Sequence, residues 1–88
     1  MKIDEVIFTE SLPKLDLHGF DRQTAVVAIN DFINDNLKMG NEVILIIHGI
    51  GTGIIRNVTT NTLKKNKNVI EYKSVYNNRG CTIVQIKK

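Results

Sequence analysis

Hydrophobic positions along this chain switch between a strand-like and a helix-like period. Leu15 and Leu17 flank Asp16, so residues 15–18 read as a short strand. From there Ala25, Ala28, Ile29, Phe32, Ile33 and Leu37 recur at the spacing of a helix with one buried face. Asp21 suits the N-cap of that helix, and Gly40 its C-terminal stop. Residues 43–47 are apolar without alternation and mostly β-branched, as expected of a central strand covered on both faces. Helical spacing returns with Ile55, Val58, Thr62 and Leu63 on one face and Arg56, Thr60, Asn61 and Lys64 opposite. Residues 69–76 and 82–86 read as two more strands. The stretch Asn77-Asn78-Arg79-Gly80 between them has turn chemistry, which predicts an antiparallel hairpin with a loop of about four residues.

The order β-α-β-α-β-β predicts an α/β (α+β) two-layer fold, one four-stranded mixed sheet packed by two helices. With 88 residues the chain makes a single domain. Residues 1–13 are expected to be a poorly ordered lead-in, with Pro13 marking where the fold begins and residues 14–88 forming the domain.

Composition narrows the function classes. The single cysteine, Cys81, excludes an internal disulfide and a cysteine-based metal cluster, and points to a reducing cytoplasm. No apolar run is long enough to span a bilayer, so no membrane partner is expected. The net charge is +3, unevenly spread: residues 1–47 hold four Lys/Arg against eight Asp/Glu, and residues 48–88 hold eight against one. A basic second half can present a positive face to a phosphate-bearing partner. Lys64, Lys65 and Lys67 have a plainer explanation as the solvated C-terminal end of a helix.

Candidate chemistry lies in two similar segments, Leu15-Asp16-Leu17-His18-Gly19 and Leu45-Ile46-Ile47-His48-Gly49. They contain both histidines of the chain, thirty positions apart. That interval matches a strand–helix–parallel strand unit, which brings His18 and His48 to one sheet edge, where open α/β sheets bind ligands. Asp16 and His18 share a strand face, an arrangement that suits a general base or part of a divalent-metal site completed by phosphate oxygens. The alternative is a structural aspartate that caps nearby backbone N–H groups. After His48, the run Gly49-Ile50-Gly51-Thr52-Gly53 leads into a helix whose free N–H groups suit a phosphate, with Arg56 one turn in. It matches neither the Walker A motif nor the dinucleotide fingerprint. Its alternative is a tight strand-to-helix turn that needs glycine for geometry alone. Phe20 follows the first His-Gly, placed either to stack on a base or to pack under the loop.

These paired motifs at this spacing resemble the Smr (small MutS-related) domain family over residues 14–88, and the chain is expected to be a stand-alone member. The resemblance implies a sandwich similar to the C-terminal domain of bacterial translation initiation factor three. It also implies nucleic-acid binding, with metal-dependent endonuclease activity on DNA or RNA in several members. Matched by motif and position, Asp16, His18 and His48 are the catalytic candidates, and Asp16 and His18 the candidate ligands for Mg²⁺ or Mn²⁺, with no organic cofactor. Gly19, Gly49, Gly51, Thr52, Gly53, Arg56, Lys64 and Arg79 are the candidate nucleic-acid contacts. The family's Gly-Gly-x-Gly-Ala-Thr turn is here Asn77-Asn78-Arg79-Gly80-Cys81-Thr82. Asparagine is expected to supply the same positive φ, and Arg79 to compensate for the added bulk. These 88 residues include no MutS-type ATPase segment. The expected partners are DNA or RNA, including the ribosome, and the expected state is a monomer. A nuclease is weighed against a non-catalytic nucleic-acid- or ribosome-binding module, and against a protein-interaction domain in which the motifs only shape turns.

Overall fold

A computed structural model describes residues 9–75 and 78–87 of the chain. Its elements are β1 (Lys14–Asp16), α1 (Arg22–Met39), β2 (Val43–Ile47), α2 (Ile54–Lys65), β3 (Val69–Val75) and β4 (Asn78–Ile86). The four strands form one sheet in the order β1-β2-β4-β3. β1 runs parallel to β2, whereas β4 is antiparallel to both β2 and β3. The predicted element order and mixed sheet are therefore present.

Local chemistry explains the first helix. Asp21 is its N-cap, with the carboxylate accepting the Thr24 N–H at 2.8 Å and the Thr24 hydroxyl at 2.7 Å. The Thr24 N–H, foremost among the cap's hydrogen bonds, holds the Asp21 carboxyl below its ordinary pKa, so the cap stays ionised well into acid. At the other end Gly40 and Asn41 donate back to the Leu37 and Asn36 carbonyls, which ends the helix. The buried Asn36 side chain is satisfied by donating to the Phe32 carbonyl and accepting from the Asn41 amide.

Alternation sorts each strand onto two faces. Toward the helices, Leu17, Ile44, Ile46, Val84 and Ile86 pack with Ala25, Ile29, Ile33 and Leu63. On the opposite face Val43, Leu45, Cys81 and Ile83 form a second cluster with Leu12. β2 is thus apolar on both sides because both sides are covered.

Two boundaries differ from the sequence-based expectation. The described part of the lead-in is structured: Thr9–Ser11 forms a 3-10 turn, Leu12 is buried, and Lys14 Nζ donates to the Glu10 carbonyl at 2.6 Å. A lone leucine in a polar stretch carries no periodicity, so its burial could not be read from spacing. β4 starts at Asn78 rather than Thr82, taking in most of the expected turn. Asn78 has no positive φ; its side chain instead accepts the Gly80 N–H at 2.9 Å. Asn77, also expected in that turn, lies outside the described residues.

Candidate nucleic-acid interface

Parallel pairing of β1 and β2 brings both His-Gly segments to one edge of the sheet. Asp16 lies beside Ile47, and the Leu17 N–H donates to the Ile47 carbonyl at 2.8 Å, carrying the pairing one residue further. The turn that follows closes with the Phe20 N–H donating to the Leu17 carbonyl at 3.0 Å.

At this edge the two histidines differ. Asp16 is in register with Ile47, and Ile47 with Cys81, so Asp16 lies on the face away from the helices. Burial pushes the Cys81 thiol above its ordinary pKa, and the nearby Asp16 carboxylate adds to the effect, so Cys81 stays a neutral thiol at physiological pH. Leu17 packs toward the helices, and His18 lies beyond the strand, in the turn closed by the Phe20 N–H, so strand alternation does not set the side of its ring. The His18 ring is exposed and bonds no other described residue, while its backbone N–H donates to Asp16 Oδ1 at 2.9 Å. Asp16 therefore caps this turn, as its structural alternative holds, and its second oxygen bonds none of the described residues.

His48 instead shares the helix-facing side of Ile46 and Thr82 and is only 8% exposed. Its Nδ1 lies 2.9 Å from the Gly49 carbonyl and its Nε2 2.9 Å from the Thr82 hydroxyl. Both ring nitrogens are committed inside the protein. The two histidines share an edge but differ in exposure: His18 is on a surface turn, whereas His48 is buried on the helix-facing side.

Between His48 and α2 the glycine loop forms a hollow of about 160 Å³ lined by Gly49, Thr52, Gly53 and Arg56, among others. Gly49, Gly51 and Gly53 have φ of 78°, 30° and 87°, and a Cβ on any of them would meet nothing within 4 Å. Glycine is required here for backbone direction, as the geometric alternative holds. The same path leaves α2 with Gly53 as its N-cap and no side chain capping it. Its first N–H groups and the positive end of its dipole are thus left for an anion.

Basic residues divide between two places. Arg56 lies in the first turn of α2, and Arg79 adjoins Gly80, whose carbonyl bonds the loop. Lys64, expected among the contacts, is about 12 Å further along the helix axis, at the far end with Lys65. The structure does not bring it to the loop. Sequence reasoning missed Arg22, which lines a hollow with Ile54 and Asn57 at the start of α2. Its signal was present: a cation at the first position of α1, where the helix dipole disfavours it and no acidic residue follows in the first turn. Phe20 is 37% exposed on the turn after Gly19, and no described helix is long and apolar enough to cross a membrane.

Comparison with known proteins gives a consistent picture. The MutS2 endonuclease of Streptococcus suis is 38% identical over 77 residues, covering 84% of this chain and 10% of the relative. The corresponding protein of Lacticaseibacillus casei is 40% identical over 76 residues, covering 83% and 10%. The chain spans about a tenth of the length of these curated relatives. The crystal structure of the Smr domain of Thermus thermophilus MutS2 superposes with a TM-score of 0.85 at 21% identity, covering 88% of this chain and all of that one. YdaL, a stand-alone small MutS-related protein from Escherichia coli, superposes with a TM-score of 0.79 at 24% identity, covering 85% and 64%. These two likenesses establish the fold, and the family model for the Smr domain matches residues 15–87. The chain belongs to the Smr domain family.

Proposed function

We propose that this domain binds DNA or RNA at the glycine-loop edge and cleaves a phosphodiester there. One observation carries the reading: an exposed imidazole, His18, with no partner among the described residues, lies at the same sheet edge as an uncapped helix N-terminus bearing Arg56. The backbone phosphate sits on the N–H groups of α2, and Arg56 holds its oxygens and offsets the charge that grows in the transition state. His18 removes the proton from the attacking oxygen, that of water or, on RNA, the 2′-hydroxyl. As the new P–O bond forms, the P–O bond to the leaving ester oxygen (the 5′-oxygen in the RNA case) breaks, and that oxygen takes a proton from water or from the His18 imidazolium. Asp16 fixes the turn through the His18 N–H, and its carboxylate charge lies at the same turn as the base. His48 has no free ring nitrogen for this chemistry.

Among the described residues no three His, Cys, Asp or Glu side chains gather to hold a metal. Asp16 and His18 supply at most two ligands, with one carboxylate oxygen already accepting a hydrogen bond. A Mg²⁺ or Mn²⁺ ion held here would rest mainly on the Asp16 carboxylate, since imidazole is a poor ligand for Mg²⁺, and would fill its shell with water and substrate phosphate. Such an ion would add Lewis-acid stabilisation to the phosphate.

A non-catalytic nucleic-acid- or ribosome-binding module is the second reading, favoured by the capping role of Asp16. Purified protein incubated with supercoiled plasmid and with structured RNA, with Mg²⁺, Mn²⁺ or EDTA, separates the two. Nicking or strand scission supports the nuclease; retained binding without cleavage supports the module.

Binding has its own prediction. Arg56→Ala and Arg22→Ala are each expected to weaken oligonucleotide affinity and to lower the slope of log K against log salt by about 1, the signature of a lost phosphate contact. Lys64→Ala is expected to leave that slope unchanged. Fluorescence anisotropy across a salt series measures all three, and a dominant Lys64 effect would move the interface to the far end of α2.

A further inference from the structure

The loop from Gly49 to Gly53 contains little that could hold its own shape. Ile50 at its tip is 69% exposed, Thr52 is exposed, and the three glycines have no side chains. What fixes it comes from β4. The Gly80 carbonyl accepts the backbone N–H of both His48, at 2.8 Å, and Gly49, at 3.0 Å. A Cβ on Gly80 would lie 3.4 Å from Gly49 Cα and 3.2 Å from Asn78 Oδ1, so glycine lets the strand approach the loop closely. Two residues on, the Thr82 hydroxyl meets His48 Nε2.

Hydrogen-bond chemistry sets the state of the His48 ring. A carbonyl oxygen only accepts, so Nδ1 carries a proton and donates to Gly49. In the neutral ring Nε2 then has a lone pair and accepts the Thr82 O–H. Thr82 is itself held in register opposite Ile46, in the middle of the sheet. The ring thus joins the rigid β4–β2 ladder to the carbonyl that begins the glycine loop.

We propose that His48 and Thr82 are positioning residues, a latch by which β4 sets the conformation of the glycine loop, with His48 locked as the Nδ1–H tautomer. The functional consequence rests on the nucleic-acid reading above; the structural part does not. Thr82 contacts no substrate in this account and acts on the phosphate only through His48 and the loop.

The test uses the full chain, labelled with ¹⁵N, as wild type, Thr82→Val and Thr82→Ser. Imidazole ¹⁵N shifts report the His48 tautomer, amide exchange reports the loop, and anisotropy with a short labelled oligonucleotide reports binding. Wild-type His48 is expected to be protonated at Nδ1 and bare at Nε2 at a pH where the ring is neutral. Thr82→Val, nearly isosteric, leaves the Gly49 carbonyl on Nδ1 and is expected to keep that proton while moving the Nε2 shift to that of an unbonded lone pair, and to raise exchange at Gly49–Gly53 by about tenfold while β2 stays protected. Affinity is expected to fall by about tenfold, the effect of one lost buried hydrogen bond. Thr82→Ser should restore all three. A wild-type His48 protonated at Nε2 alone, or Thr82→Val with wild-type loop exchange, overturns the latch. Should Thr82→Val fail to fold, the wild-type tautomer decides. A wild type that binds no oligonucleotide overturns the nucleic-acid reading, while tautomer and exchange still judge the latch.

Discussion

His18→Ala is expected to lower cleavage by about 10²–10⁴-fold, the usual contribution of a positioned general base, while nucleic-acid binding stays within a few-fold. The side chain is exposed and bonds no described residue, so its removal leaves the fold intact. Two Asp16 variants separate charge from capping. Asp16→Asn keeps an oxygen for the His18 N–H but removes the charge, and is expected to lose cleavage with an unchanged melting temperature. Asp16→Ala removes both and is expected to lose cleavage and melt lower. Single-turnover assays at saturating protein, paired with thermal melts, read these effects. Wild-type cleavage by Asp16→Asn would reduce Asp16 to a turn residue.

The second large effect is on stability. Ile46 is fully buried at the centre of β2, between Leu15 on β1 and Thr82 on β4. Ile46→Ala is expected to cost about 2–5 kcal/mol through lost transfer energy and a residual cavity. A domain of this size has only about 4–13 kcal/mol in total, so the melting temperature should drop by about 10 °C or more. Ile70, 58% exposed on β3, is the control, with Ile70→Ala expected to stay within about 0.5 kcal/mol. Similar melts for the two variants would mean that β2 is not the centre of the core.

Much of this architecture could be read from residue spacing because its determinants are local. Asp21 and Gly40 end α1 through their own chemistry, and the unbroken run from Val43 to Ile47 identifies a strand covered on both faces. That same two-sided burial concealed where His48 points. A strand apolar on both faces carries no label for which side meets the helices, so the edge could be predicted but not the face. Asn78, Arg79 and Gly80 have turn composition, yet long-range contact with Gly49 draws them into β4. Charge was the least informative signal: basic residues close in sequence lie at opposite ends of α2, and Arg22, from the acidic half, joins the loop edge.

The most direct test of the central claim is chemical-shift mapping of the ¹⁵N-labelled protein during titration with a short oligonucleotide. Perturbations are expected to concentrate at Leu17–Phe20, Gly49–Arg56 and Arg79–Gly80, with Lys64 and Lys65 little affected. Perturbations centred on Lys64 and Lys65, with the glycine loop unmoved, would contradict that claim.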